Sequence, residues 1–123
     1  MDGRISESEW QVMEALWEAE SPMTATEVGD KVSAERGWTL ATVKTLLSRL
    51  LAKGAIAADQ DGRRFLYRPI LARADYVGGE SRRFVDRLFG GRLSPLVASL
   101  AEEDALSDDD IKALEAILKE LKS

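Results

Sequence analysis

The stretch from Trp38 to Gly54 brings together side chains that could bind a polyanion. At about 100° per residue, one side of a helix here would present only small residues, hydroxyls and cations, with no acidic group. These outer positions are Ala41, Thr42, Lys44, Thr45, Ser48, Arg49 and Ala52. A solvated helix face usually mixes both charges. The composition therefore favours close approach to phosphates or base edges.

The distribution of charge supports this interpretation, although the chain is acidic overall with a net charge of −5. Residues 36–70 carry seven basic and two acidic side chains, whereas residues 1–35 carry two basic and nine acidic ones. A polyanion responds to the local patch, because exposed charges are screened beyond roughly 8–10 Å. By charge alone, an ordinary mixed surface remains the alternative.

The residue types that are absent exclude several chemistries. The 123 residues include no cysteine and no histidine, which removes thiol nucleophiles, thiolate metal sites and the commonest general base. The acidic runs at 102–104 and 108–110 lie at predicted helix ends, where capping and solvation explain them. We therefore expect no enzyme activity, no cofactor and no metal. The first ten residues contain no apolar run typical of a signal peptide, so a cytoplasmic protein is expected.

Three helices are predicted to position the outer face. Ser6 with Glu9, and Thr24 with Glu27, form capping boxes that begin the first two helices. In the third helix Thr39 is the expected N-cap, and Gly54 lies where a left-handed residue commonly ends a helix. The apolar side of this helix is formed by Val43, Leu46, Leu47, Leu50 and Leu51.

The pattern after Gly54 changes to that of a β-hairpin. Residues 55–60 and 63–70 alternate as strands, and Asp61-Gly62 is a favoured two-residue turn. Arg63 and Arg64 would stand at its tip. Three helices followed by a basic hairpin predict a winged helix-turn-helix, mainly α with a small β-hairpin wing, over residues 1–70.

These motifs together resemble the penicillinase-repressor family of winged-helix regulators (the BlaI/MecI type). The resemblance runs from residues 6–17 through Thr26-Glu27-Val28, residues 38–55, Gly62-Arg63 and residues 65–67 to the C-terminal helices. It implies a homodimeric transcriptional repressor that binds a palindromic, double-stranded DNA operator. A winged-helix module that binds an acidic protein instead of DNA is the alternative.

Residues 71–123 carry apolar stripes too extensive for a solvated tail. Gly78-Gly79 predicts that the regular part of the first C-terminal helix starts near Glu80. Gly90-Gly91 predicts that this helix ends at residue 90. Pairing with a second copy would bury these stripes, and packing onto the same chain is the alternative. The residues expected in dimerisation are Tyr76, Phe84, Leu88, Leu96, Leu100, Ile111, Leu114, Ile117, Leu118 and Leu121.

Contacts with DNA are predicted by residue type. Thr42, Thr45, Ser48 and Arg49 would face the major groove, with Ala41 permitting close approach. The phosphate contacts would come from Thr39, Lys44, Lys53, Arg63 and Arg64.

Release from the operator is the least determined step. In the family it follows proteolysis downstream of a membrane-bound β-lactam sensor-peptidase, which the resemblance implies as a partner without membrane insertion of the repressor itself. Ser99-Leu100 aligns with the cleaved position, where the family has Asn-Phe. Release by proteolysis and release by another signal acting on the dimerisation region both remain open.

Overall fold

A computed structural model describes residues 4–123, apart from the side chains of residues 33–35. Contacts within the chain separate the residues up to Tyr76 from Val77–Ser123. The predicted mainly helical fold with a two-stranded antiparallel hairpin is confirmed. The elements are α1 (Glu7–Glu18), α2 (Ala25–Arg36), α3 (Leu40–Ala52), β1 (Ile56–Asp61), β2 (Arg64–Pro69), α4 (Arg73–Phe89), α5 (Leu93–Glu102) and α6 (Asp108–Lys122).

The first three helices begin at the predicted capping residues. Ser6 Oγ accepts from the Glu9 amide at 3.2 Å, and the Glu9 carboxylate accepts from the Ser6 amide at 2.9 Å. Thr24 and Glu27 make the same reciprocal pair ahead of α2. Thr39 Oγ1 accepts from the Thr42 amide at 3.2 Å. Because these bonds satisfy donors that have no partner within the helix, they fix where each helix starts.

The core of the first unit fixes the orientation of α3. One stripe from each helix and the start of β1 pack together: Val12, Met13, Leu16, Val28, Val32, Val43, Leu46, Leu47, Leu50 and Ile56. Leu51 was expected on this apolar side, but it is 37 % exposed. It lies about 100° around the helix from Leu50, beyond the buried stripe. Burial of the remaining leucines turns the opposite face of α3 outward.

The hairpin differs by one residue from the predicted turn. Asp61 pairs with Arg64 in the strand register, so the two loop residues are Gly62 and Arg63 and not Asp61 and Gly62. Gly62 adopts φ +66°, which suits glycine at the first loop position of a tight hairpin. Met23 pairs with Tyr67 through two backbone hydrogen bonds of 2.7 and 3.0 Å, so the segment before α2 holds the wing.

Aromatic side chains hold the start of α4 against the first unit. Trp17 Nε1 donates to the Leu71 carbonyl at 2.8 Å, and the Tyr76 hydroxyl accepts from the Ile5 amide at 3.1 Å. The Trp10 ring lies 5.3 Å from Trp17 and 5.6 Å from Tyr76. Tyr76 is therefore buried within its own chain, and we leave it out of the proposed dimerisation surface.

The predicted start of this helix near Glu80 is wrong. α4 begins at Arg73 and continues through Gly78-Gly79. Packing of Tyr76 anchors the first turn, which offsets the low helix propensity of glycine. The predicted end is confirmed, since Gly90 and Gly91 take φ values of +59° and +83° directly after α4.

No side chain within Val77–Ser123 is buried. Ser107 and Asp110 form the capping box of α6, with hydrogen bonds of 3.0 and 3.1 Å. The large apolar side chains that remain exposed in this unit are Phe84, Leu88, Leu93, Leu100, Ile111, Ile117, Leu118 and Leu121. Among residues 4–123, no helix is both long enough and apolar enough to cross a membrane.

Candidate nucleic-acid interface

The outer face of α3 is exposed along its length. All of the predicted groove-facing positions, Ala41, Thr42, Thr45, Ser48 and Arg49, are solvent-exposed, as is Lys44 at the edge of this face. Hydrogen bonds within the helix orient two of the hydroxyls. Thr42 Oγ1 lies 3.1 Å from Thr39 Oγ1, and Thr45 Oγ1 donates to the Ala41 carbonyl at 3.0 Å. Thr45 therefore keeps acceptor lone pairs and a methyl group available, which suits a base amino group or a thymine methyl.

Three cations of this surface remain available for a ligand. Lys44, Arg49 and Arg63 form no ion pair in the part of the chain that the structure describes. Arg64 differs, because it pairs with Asp61 at 2.9 Å. The charge at the wing tip is therefore partly neutralised at Arg64 and unopposed at Arg63.

Lys53 has a structural role in place of the predicted phosphate contact. Its Nζ lies 2.5 Å from the Glu9 carboxylate and 2.7 Å from the Arg4 carbonyl. Glu9 is only 2 % exposed. Burial raises the pKa of Glu9, but hydrogen bonds from Lys53 and from the Ser6 amide, together with the Lys53 charge, outweigh burial and lower the pKa below its usual range. We therefore remove Lys53 from the set of proposed DNA contacts.

A recess of about 200 Å³ brings the wing and α3 together. Lys44, Arg63 and Arg64 all line it, although they are up to 20 positions apart in the chain. Thr24 and Thr26 contribute from the start of α2. Three of the predicted phosphate contacts thus converge on one concavity.

A second, larger recess of about 450 Å³ lies along α3. Thr42, Thr45 and Arg49 line it from α3, whereas Ser6 and Ser8 line it from the start of α1. Trp38 completes its wall. On the helical projection Lys44 is roughly 140–160° from Thr42 and Arg49, so the two recesses flank opposite edges of the outer face.

The sequence pattern did not point to Ser6, Ser8 or Trp38 as part of this surface. Ser6 was explained by its capping role, and Ser8 has no periodicity that distinguishes it. Their position depends on how α1 crosses α3, which local spacing does not determine.

Residues 5–120 match the profile of the family described as penicillinase repressor. This chain belongs to the penicillinase repressor family. It is 35 % identical over 120 residues to the penicillinase repressor of Bacillus licheniformis, covering 98 % of this chain and 93 % of the relative. The resemblance drawn from the sequence is confirmed.

Two solved structures of family members superpose on part of the chain. The DNA-binding domain of the repressor BlaI matches with a TM-score of 0.55 and 35 % identity, over 60 % of this chain and 89 % of that domain. Bacillus licheniformis BlaI, solved as a monomeric form in complex with the blaP half-operator, gives a TM-score of 0.51 and 36 % identity over 59 % and 88 %. The winged-helix fold of the family is therefore shared by this chain.

Proposed function

We propose that this penicillinase-repressor family member represses transcription by binding an operator in double-stranded DNA. The observation that carries the proposal is the outer face of α3, which is exposed and free of acidic residues. It carries or adjoins three cations, Lys44, Arg49 and Arg63, that form no ion pair within residues 4–123. The family relationship supports it, because BlaI was solved in complex with a half-operator. A repressor of this kind would act in the cytoplasm.

The outer face of α3 reads bases in the major groove. Ala41 lets the helix approach closely, and Thr45 and Ser48 offer hydroxyls at the centre of the face. Arg49 is the side chain best suited to contact guanine through two hydrogen bonds. Thr42, tied to the N-cap hydroxyl of Thr39, lies on the same edge as Arg49.

The wing contributes contacts to the DNA backbone. Lys44, Arg63 and Arg64 converge on the smaller recess, where their charges would neutralise phosphate. Phosphate contacts set the register of a protein on DNA but do not read sequence. Thr39, at the start of α3, adds a neutral hydrogen-bonding group.

The C-terminal unit pairs two copies of the repressor. Most of its large apolar side chains are exposed in the single chain, and Leu96 and Leu114 are half-buried. A second copy related by a two-fold axis would cover the same set on both protomers. The proposed surface comprises Phe84, Leu88, Leu96, Leu100, Ile111, Leu114, Ile117, Leu118 and Leu121. Two identical winged-helix units related by a two-fold axis would match an inverted repeat in the DNA.

Release follows when this pairing is lost. Ser99 and Leu100 are both exposed near the C-terminal end of α5, so a peptidase could reach the backbone after local unfolding of the last turn. A sensor-peptidase in the membrane is the proposed partner for this step. Purified protein recovered from cells before and after treatment with a β-lactam would show by mass spectrometry whether the Ser99–Leu100 bond is cut.

Selection from a pool of random duplexes tests the function itself. The recovered sequence and a scrambled version are then compared by gel shift at about 50 and about 200 mM salt. We expect the selected duplex to bind more tightly at both concentrations, and binding to weaken steeply with salt. If no duplex binds, the basic face serves an acidic protein partner and the repressor assignment is wrong.

A further inference from the structure

The larger recess beside α3 extends from the proposed base-reading residues Thr42, Thr45 and Arg49 to residues that the proposed function does not use, Ser6, Ser8 and Trp38. It is about 450 Å³ and lies between the first turn of α1 and the Arg49 edge of α3. Its walls combine hydroxyls from Ser6 and Ser8, the Trp38 ring and the cation of Arg49. Hydroxyls, an aromatic ring and an arginine are suited to a sugar–phosphate chain.

The charge around this recess is also suitable. Arg49 has no ion pair within the described chain, and the Arg36 guanidinium lies 6.0 Å from the centroid of the Trp38 ring. Two cations therefore stand at this edge of α3. Two carboxylates adjoin these serines in the sequence. Glu9 is paired with Lys53, so its charge is compensated, and Glu7 is exposed and does not line the recess.

The opposing positions of the two recesses suggest what this one binds. A helix in the major groove has one DNA strand on each side, because the groove is bounded by two backbones. The recess lined by Lys44, Arg63 and Arg64 occupies one edge of α3 and the recess of Ser6, Ser8 and Trp38 the other.

We propose that the recess formed by Ser6, Ser8, Trp38, Thr42 and Arg49 seats the sugar–phosphate backbone of the DNA strand opposite the wing. This inference rests on the proposed function and adds the start of α1 to the DNA-binding surface. Ser8 and Trp38 become contacts that no base-reading role assigns to them. Arg49 lies between the base-reading face of α3 and this recess, where its guanidinium can reach a base edge and a phosphate.

Ser8→Glu tests directly whether this recess binds the DNA backbone. A carboxylate facing a phosphate should weaken binding of the selected duplex and of the scrambled duplex alike, by roughly tenfold at low salt. The slope of log affinity against log salt should become shallower by about 0.9, as for one lost phosphate contact. Ser8→Ala, which removes only a hydrogen bond, should weaken binding by about two- to tenfold.

Ser21→Glu is the matched control. Ser21 is exposed in the same unit and lines neither recess, so the same change of charge should alter binding much less than Ser8→Glu does. Circular dichroism and melting temperature verify that each variant is folded. Equal effects of the two glutamates would overturn the assignment, because they would reflect overall charge alone.

Trp38 provides a second, independent measurement. Adding the selected duplex to the wild-type protein should change tryptophan fluorescence, and Trp38→Phe should lose most of this change while still binding. Trp10 and Trp17 lie in the aromatic cluster with Tyr76 and should respond little. A fluorescence change that persists in Trp38→Phe would contradict binding of the DNA backbone in this recess. If the wild-type protein binds no duplex, the proposed function itself is wrong. If the wild-type protein binds and Ser8→Glu binds with unchanged affinity, only this inference is wrong.

Discussion

We expect base recognition in the proposed interface to depend most on Arg49. It is exposed, forms no ion pair within residues 4–123 and lies beside the groove-facing hydroxyls. Arg49→Ala should weaken binding to the selected duplex by about 1–3 kcal/mol and relax the preference at one base pair. Competition gel shifts against all single-base variants of the duplex measure both quantities.

Arg49→Lys separates the geometry of this side chain from its charge. Lysine keeps the positive charge but lacks the planar fork that binds guanine through two hydrogen bonds. We expect the salt dependence to remain and the base preference to be lost. A lysine variant with unchanged base preference would show that Arg49 contacts only the backbone.

Asp61 controls how much charge the wing presents. Its carboxylate holds Arg64 at 2.9 Å, whereas Arg63 forms no ion pair with any of the residues that the structure describes. Asp61→Asn should release Arg64 and remove a negative charge, so that both selected and scrambled duplexes bind more tightly, by about two- to fivefold. Arg63→Ala should have the opposite effect on both duplexes. If Asp61→Asn changes only the selected duplex, the wing is reading sequence and not only phosphate.

At this scale the sequence indicated which residue types would act, but not which of them were already engaged. The hydroxyls and arginine of α3 follow from helical spacing. The pairing of Lys53 with Glu9 joins residues 44 positions apart, and no local pattern contains it. The expectation that Tyr76 lies in the dimer interface fails for the same reason. Its hydrogen bond with Ile5 joins residues 71 positions apart, which no local pattern contains.

The ion pair between Glu9 and Lys53 links the start of α1 to the end of α3. Lys53→Met would leave the Glu9 carboxylate buried without its cation, and we expect a loss of about 1.5–3 kcal/mol in the free energy of unfolding. The double variant Glu9→Gln with Lys53→Met should recover part of this loss. Urea unfolding of the four proteins measures the coupling, and additive losses would mean that the pair contributes nothing specific.

The same pair predicts a dependence on pH. The pKa of Glu9 is lowered in the folded state. Between this lowered pKa and the ordinary glutamate pKa, the unfolded chain therefore binds more protons, and the free energy of unfolding rises with pH. The contribution is complete above the ordinary glutamate pKa of about 4.3 and is lost as pH falls through the lowered pKa. Glu9→Gln should therefore show a shallower decline in acid.

Glu27 serves as an internal reference for this measurement. Its pKa is also lowered, by hydrogen bonds from the Thr24 amide and hydroxyl and by the charge of Arg64. It is present in both the wild type and Glu9→Gln, so the difference between their two pH curves isolates Glu9. Identical curves would show that the Glu9 carboxylate does not contribute.

Element boundaries were predictable where a side chain caps a helix and not where distant packing decides. Ser6, Thr24 and Thr39 each begin a helix as expected. Glycine propensity alone predicts too late a start for α4, because the aromatic cluster that anchors Tyr76 lies outside the local sequence pattern. The hairpin turn was displaced by one residue because the register of Asp61 with Arg64 selected Gly62-Arg63 as the loop.

At the scale of the whole molecule, the proposed dimer would hold two DNA-binding units together. Val77–Ser123 buries none of its side chains in the single chain, so its apolar stripes are available to a second copy. Linking two half-site contacts raises the affinity for an inverted repeat through effective concentration. In this proposal, the affinity for a single half-site would depend only on the N-terminal unit.

Substitutions at two adjacent positions of α6 test this division. Leu118 is 52 % exposed on the apolar stripe, and Lys119 projects about 100° away from it. Leu118→Gln should raise the dimer dissociation constant by at least about tenfold, measured by analytical ultracentrifugation, whereas Lys119→Gln should not. Binding to an inverted repeat should then fall toward that of one half-site, while half-site affinity stays unchanged. Loss of half-site binding in Leu118→Gln would mean instead that the C-terminal helices support the DNA-binding unit itself, which would replace pairing with folding as their role.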